Sequence, residues 1–251
     1  AVPRLVNVAA QINADFQWYH DVEINFDSIP LFESVGGGIA VLDYDLDGWP
    51  DLYFAQGSGQ PPEFACTRSN ELRRNLNGTF IEVSQQSCAE DFNYSSGIAA
   101  GDVNQDGFPD LYLGALGKNR LLINQGDGTF RDATDALGTD KNFFTTSLSI
   151  ADIDGDHLPD LFEVNYIENE GGYSQPVKGE DGTDQLPSPL LFFAQADRFF
   201  RSTGSGDFTC VDIQQQSAEP GSGLGLIVSN FDDQLGNEVF VGNDLRPNHF
   251  F

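Results

Sequence analysis

Short apolar runs separated by polar turns dominate this chain. Ile39-Ala40-Val41-Leu42, Leu52-Tyr53-Phe54, Leu111-Tyr112-Leu113, Leu161-Phe162, Leu226-Ile227-Val228 and Val239-Phe240-Val241 each hold two to four residues. They are rich in β-branched and aromatic side chains and are bounded by Gly, Pro and acidic residues. Such runs predict strands rather than helices. No apolar run approaches the ~18 residues that a membrane-spanning helix needs.

The strands come in pairs around an acidic loop. Asp43-Tyr44-Asp45-Leu46-Asp47-Gly48-Trp49-Pro50-Asp51, Asp102-Val103-Asn104-Gln105-Asp106-Gly107-Phe108-Pro109-Asp110 and Asp152-Ile153-Asp154-Gly155-Asp156-His157-Leu158-Pro159-Asp160 share one pattern, D-x-[DN]-x-D-x-x-P-D. A degenerate fourth copy runs from Asn230 through Asp232, Gln234 and Gly236 to Glu238. Gly38, Gly97, Ser147 and Gly225 stand five residues before the four loops. Turn segments ending at Phe80, Phe130 and Phe208 each precede the next loop by 22 residues. Two of these segments carry Asn77-Gly78 and Asp127-Gly128, which are strong hairpin signals.

Each unit therefore reads hairpin, connection, strand, acidic loop, strand. Loop-to-loop spacings are 59, 50 and 78 residues. Multi-stranded units of about 40–50 residues predict β-propeller blades. The expected fold is all-β, with about four blades in one domain over residues 1–251. The excess length falls in two insertions, near 56–69 and 165–191, both after a loop-and-strand element. That places them on one face, as recognition sites or as plain solvated loops.

Carboxylates at every second loop position repel one another unless a cation joins them. Ca²⁺ takes six to eight oxygen ligands from such loops. The expected ligands are Asp43, Asp45, Asp47, Asp51 and the Trp49 carbonyl in loop 1. Loop 2 offers Asp102, Asn104, Asp106, Asp110 and the Phe108 carbonyl. Loop 3 offers Asp152, Asp154, Asp156, Asp160 and the Leu158 carbonyl. Three Ca²⁺ sites are expected, and Asn230, Asp232, Gln234, Gly236 and Glu238 extend the same pattern to a fourth. The sharp turn at position six is met by Gly48 and Gly107. His157 takes that place in loop 3 and is read as a turn residue. The loops are not EF-hands, because position 12 is Phe54, Leu113 or Glu163 and the flanks are strands.

Composition supports cation binding and excludes other partners. The chain has 39 acidic and 12 basic residues and a formal net charge of −27. Nucleic acid and anionic membrane surfaces are disfavoured partners. Disorder does not explain the charge, since 21 of 251 residues are Phe and acidic disordered chains are poor in aromatics. The three strong loops hold four, three and four of the acidic residues. Cys66 and Cys88 are 22 residues apart and are read as a disulfide of an oxidising compartment. Three buried thiols are the alternative.

The loops resemble the FG-GAP and VCBS repeats of β-propellers, including integrin alpha-subunit loops. The fuller pattern is similar to the cartilage acidic protein (ASPIC/UnbV-type) family. The residues that carry it are Gly38–Asp45, Asn119-Arg120-Leu121 with Asn124–Thr134, and Gly223–Asp244 with Pro247-Asn248. The resemblance implies a secreted or cell-surface calcium-binding propeller of about seven blades. Asn248-His249-Phe250-Phe251 aligns with the start of a hairpin at Asn119. The chain is thus expected to be an N-terminal part of a larger propeller. Residues 4–9 are expected to form a strand after a hairpin turn.

The expected function is a non-catalytic module for adhesion, matrix or surface-filament assembly, with Ca²⁺ in a structural role. Its partners would be other extracellular proteins or glycans, including further copies in an assembly. The alternative is a propeller enzyme of lyase or glycosidase type, with acids such as Glu168, Glu170, Glu180 and Asp181 in the insertions. Against it, the three histidines His20, His157 and His249 show no metal-ligand spacing, and G-x-S-x-G is absent.

Overall fold

The computed structural model describes residues 4–19, 30–57, 59, 66–138, 141–168, 177–185, 188–204, 206–211, 213 and 219–251. Among them there is no α-helix, only 3-10 turns and strands. Blade 1 holds β1 (Ile39–Leu42), β2 (Asp51–Phe54), β3 (Glu71–Asn75) and β4 (Phe80–Glu82). Blade 2 holds β5 (Ser95–Gly101), β6 (Asp110–Gly117), β7 (Arg120–Asn124) and β8 (Phe130–Asp132). Blade 3 begins with β9 (Phe143–Ala151) and β10 (Asp160–Asn165). A small hairpin, β11 (Val177–Lys178) and β12 (Asp184–Gln185), interrupts it. β13 (Arg198–Ser202) and β14 (Phe208–Val211) complete it. Blade 4 holds β15 (Gly223–Ser229), β16 (Glu238–Asn243) and β17 (His249–Phe250).

Every pairing is antiparallel, and each blade meanders in chain order. The expected unit is observed: an acidic loop joins the first two strands of each blade, and a hairpin joins the last two of blades 1–3. At Asn77-Gly78 both residues have positive φ, as a type I′ hairpin turn requires. Leu116 and Gly117 of β6 pair with Phe144 and Phe143 of β9, so blades 2 and 3 share one sheet edge.

The core lies between blades. Ala40, Tyr53 and Leu72 of blade 1 pack on Leu111, Leu113 and Leu122 of blade 2. Tyr112 and Leu121 of blade 2 pack on Leu161 and Phe200 of blade 3. Phe162 and Phe199 of blade 3 pack on Val239 and Val241 of blade 4. The row is set by register: Tyr53, Tyr112, Phe162 and Phe240 each lie two residues after the last acid of their loop. The first three are buried. Phe240 stands exposed beside Ile227 and Phe250, its cross-strand neighbours.

The first strands of successive blades approach closely, which explains the small residue five positions before each loop. A Cβ on Gly38 would meet Ser96 O at 2.7 Å, and one on Gly97 would meet Thr146 O at 2.9 Å. Ser147 donates to Leu224 O in the same place. Gly225 has nothing within 4 Å.

Both insertions leave from the ends of β2 and β10, opposite the acidic loops. A separate apolar cluster of Phe32, Cys66, Tyr94, Leu116, Phe144 and Tyr166 seals that end. Residues 58, 60–65, 169–176 and 186–187 of the insertions, and with them Glu170, lie outside the described residues, as does His20.

Two expectations are corrected. Residues 4–9 form no strand: Asn7 accepts the N–H of Ala9 and opens a 3-10 turn at Ala9–Gln11. Cys66 and Cys88 form no disulfide in this structure. Cys66 is buried in the apolar cluster and accepts the N–H of Gly59. Cys88 is exposed at a turn with φ 54°.

Candidate metal centres

The three strong loops fold alike because the same side chains serve the same backbone donors. The first aspartate accepts two amides. Asp43 takes those of Asp47 and Gly48, Asp102 those of Asp106 and Gly107, and Asp152 those of Gly155 and His157. The fifth-position aspartate accepts the amide two residues on, at 2.9 Å in each case: Asp47 from Trp49, Asp106 from Phe108, Asp156 from Leu158. The backbone enters the left-handed region at position four (Leu46, Gln105, Gly155) and at position six (Gly48, Gly107, His157). His157 is thus the turn residue the sequence implied, with φ 71°. Asn, Asp and His bear positive φ better than most residues.

The ninth-position carboxylate ties loop to blade. Asp51 accepts the N–H of Tyr44 and that of Asn75 on β3. Asp110 accepts from Val103 and Asn124. Asp160 accepts from Ile153 and Ser202. All three are fully buried. Burial pushes Asp51 up to about 6 and Asp110 up to about 7, against the backbone hydrogen bonds that pull the other way. Asp160 is raised for the same reason.

This scaffold gathers carboxylates. Asp43, Asp45 and Asp51 each bring an oxygen within 4.8 Å of the others, and so do Asp152, Asp154 and Asp156. Loop 2 has the same hydrogen-bond frame, with Asn104 Oδ1 accepting from Asp106 in place of a carboxylate. Clustered hard carboxylate oxygens suit a hard divalent cation. Loop 4 departs from the frame. Its positive φ angles fall at Asp233 and Gly236, positions four and seven. The Asn230 amide is spent on Gln234 O and Gly236 O. The ninth-position bond survives, from Phe231 N–H to Glu238, as do Gln234 N–H to Asp232 and Asp233 N–H to Asn230. Among the described residues, no amide at position six or seven is held by the first or fifth residue. Among the described residues no carboxylate triad forms there.

The loops lie side by side at one end of the blades. Gln105 of loop 2 donates to His157 O of loop 3 at 2.7 Å. Asn237 of loop 4 donates to Asp152 O of loop 3. Sequence spacing missed one element: an arginine at two loops. Arg74 Nε lies 2.6 Å from Asp45, and Arg201 Nε lies 2.6 Å from Asp154. Insertions of unequal length separate each arginine from its loop, so no constant spacing marked them.

Comparison with known proteins agrees with this geometry. Residues 43–113 and 102–163 match the model of the FG-GAP-like repeat. Integrin alpha-7 of Rattus norvegicus is 31% identical over 148 residues, covering 52% of this chain and 12% of the relative. Integrin alpha-6 of Homo sapiens is 30% identical over 150 residues, covering 54% and 13%. The chain thus spans about one-eighth of the length of these relatives. An N-acetylglucosamine-recognising lectin of Agrocybe aegerita aligns over 85% of this chain and 65% of its own, with 14% identity and a TM-score of 0.34. Residues 43–163 are thus similar to FG-GAP-like repeats, and they fold as antiparallel blades of the β-propeller type.

Proposed function

We propose that this chain is a non-catalytic, calcium-dependent propeller module for extracellular adhesion or surface assembly, of the cartilage acidic protein (ASPIC/UnbV) type. The observation that carries the reading is the recurrence of one hydrogen-bonded acidic loop in one register in three successive blades, two of which gather three carboxylates. Asp43, Asp45, Asp47 and Asp51 would hold Ca²⁺ in loop 1, with the Trp49 carbonyl. Asp102, Asn104, Asp106, Asp110 and Phe108 would do so in loop 2. Asp152, Asp154, Asp156, Asp160 and Leu158 would do so in loop 3. The cation would cancel carboxylate repulsion at the turn and pin the two strands it joins. With Kd of roughly 10–100 μM and ~1 mM free Ca²⁺, each site adds about 1.4–2.7 kcal/mol.

The acids of the loops are committed to this frame, and His157 is an exposed turn residue, which favours a binding module over an enzyme. Extracellular proteins, glycans or further copies are the expected partners. The insertion at 165–191 is the expected contact, since it leaves from the end of β10 away from the metal loops. Thermal unfolding tests the calcium reading: EGTA should lower the midpoint and excess Ca²⁺ restore it. An unmoved midpoint would overturn it. Replacing 169–187 by a short Gly-Ser linker, which spares Tyr166 and Ile167 of the apolar cluster, should abolish adhesion or assembly while leaving the calcium shift intact.

A further inference from the structure

Two differences in charge among the three loop sites go together. Loops 1 and 3 have aspartate at position three, Asp45 and Asp154, and each meets an arginine. Loop 2 has Asn104 there and no arginine. The arginines occupy one structural place. Asn75, Asn124 and Ser202 donate their N–H to the ninth-position aspartates of loops 1, 2 and 3. The residues immediately before them are Arg74, Ile123 and Arg201. The extra carboxylate and the arginine are therefore present together twice and absent together once.

Charge follows from this. Loop 1 carries four aspartates and Arg74, leaving three net negative charges. Loop 3 carries four aspartates and Arg201, leaving the same three. Loop 2 carries three aspartates and none to offset. Stability does not account for the pairs. Both arginine side chains are well exposed, at 36% and 51%, and exposed ion pairs contribute little. A fixed positive charge beside a cation site has a larger consequence, because it opposes the incoming ion and relieves the metal-free loop.

Resting on the calcium reading above, we propose that Arg74 and Arg201 are built-in counter-cations that set the calcium affinity of loops 1 and 3. They offset the carboxylates of Asp45 and Asp154 and hold these sites at the level that loop 2 reaches with Asn104 and Ile123. Arg74 also reaches Asp47 Oδ2 at 3.1 Å, so it bears on two expected ligands at once.

Loop 1 offers its own reporter. Trp49 stands at its seventh position, and the chain has only two tryptophans. Trp18, the other, packs in the apolar cluster at the opposite end of the blades. Terbium luminescence excited through Trp49, competed with Ca²⁺, reads the affinity of this one loop. Arg74→Gln should strengthen Ca²⁺ binding about three- to tenfold, the effect of removing one nearby unit charge in a solvated site. Arg74→Ile installs the residue that loop 2 already carries and should do the same. Arg74→Lys should keep the wild-type affinity. Asp45→Asn alone should weaken binding, and Asp45→Asn with Arg74→Gln should return it to within about twofold of wild type. Unchanged or weaker binding in both charge-removing variants would overturn the proposal and leave the calcium reading standing. A wild-type protein with no terbium signal that Ca²⁺ displaces would overturn both.

Discussion

Asn75 donates its backbone N–H to Asp51 Oδ1 at 2.7 Å, and this bond joins the acidic loop to the third strand of its blade. The second oxygen of Asp51 takes the N–H of Tyr44 inside the loop. One buried carboxylate thereby satisfies two backbone donors that would otherwise be orphaned. Asp110 does the same for Val103 and Asn124.

Removing that carboxylate should cost stability even without metal. Asp110→Ala leaves two buried N–H groups unpaired, each worth about 1–3 kcal/mol. The expected loss is roughly 2–6 kcal/mol, read by urea unfolding in EDTA. Asp106→Ala, at the exposed fifth position, should cost under about 1 kcal/mol in the same buffer. Equal losses for the two would refute the distinction between tie and ligand.

The inner glycines make a second prediction. Gly97→Ala would place a Cβ 2.9 Å from Thr146 O and 3.0 Å from Ser147 Cα. The neighbours are backbone, so blades 2 and 3 must separate to admit it. Overpacking of this kind costs about 1–3 kcal/mol. Gly225→Ala has nothing within 4 Å and should leave the midpoint unchanged. A destabilised Gly225→Ala with a neutral Gly97→Ala would invert this reading of the inner strands.

Much of this was legible in the sequence, for a physical reason. Loop, strand and hairpin are local, so Asp43–Asp51 and Asn77-Gly78 announce their structures within a few residues. The fixed interval from Phe80 to Asp102 and from Phe130 to Asp152 gave the order of the blades. What crosses between strands was hidden. Arg74 and Arg201 meet their loops through unequal insertions. The fourth loop kept the ninth-position bond of Glu238 but not the turn geometry: its second positive φ falls at Gly236 and not at Leu235, where Gly48, Gly107 and His157 take it in the other loops. The Cys66–Cys88 pairing rested on spacing alone, and spacing says nothing of Cys66 being inside the apolar cluster at the far end of the blades.

Thiol chemistry checks that correction. Cys88 is exposed and Cys66 buried. A thiol-specific reagent should label Cys88 quickly in the native protein and Cys66 only on unfolding, without prior reduction. A mass two units lower than the fully reduced chain, with Cys66 and Cys88 both unreactive after unfolding, would restore the disulfide.

The last prediction comes from an acid that replaces an amide. Asn70, Asn119 and Asn248 each accept the N–H of the residue five positions past the loop's last acid: Gln56, Ala115 and Asn243. In blade 3 the same bond, from Asn165 N–H, goes to Asp197. Its other oxygen lies 3.9 Å from His249 Nδ1. Burial pushes this carboxyl up to about 7. Its ordinary value in the unfolded chain is about 3.9, so the native state holds a proton there that the unfolded state has released. Stability from this group is fully present below about pH 4 and is lost as pH rises to about 7. Asp197→Asn keeps the accepting oxygen and removes the titration. In EDTA it should match wild type near pH 4 and exceed it at pH 8, by at most about 4 kcal/mol for a shift of this size. Asp51 and Asp110 titrate identically in both proteins, so the difference between the two pH profiles isolates Asp197. Parallel profiles from pH 4 to 8 would overturn the upward shift of Asp197.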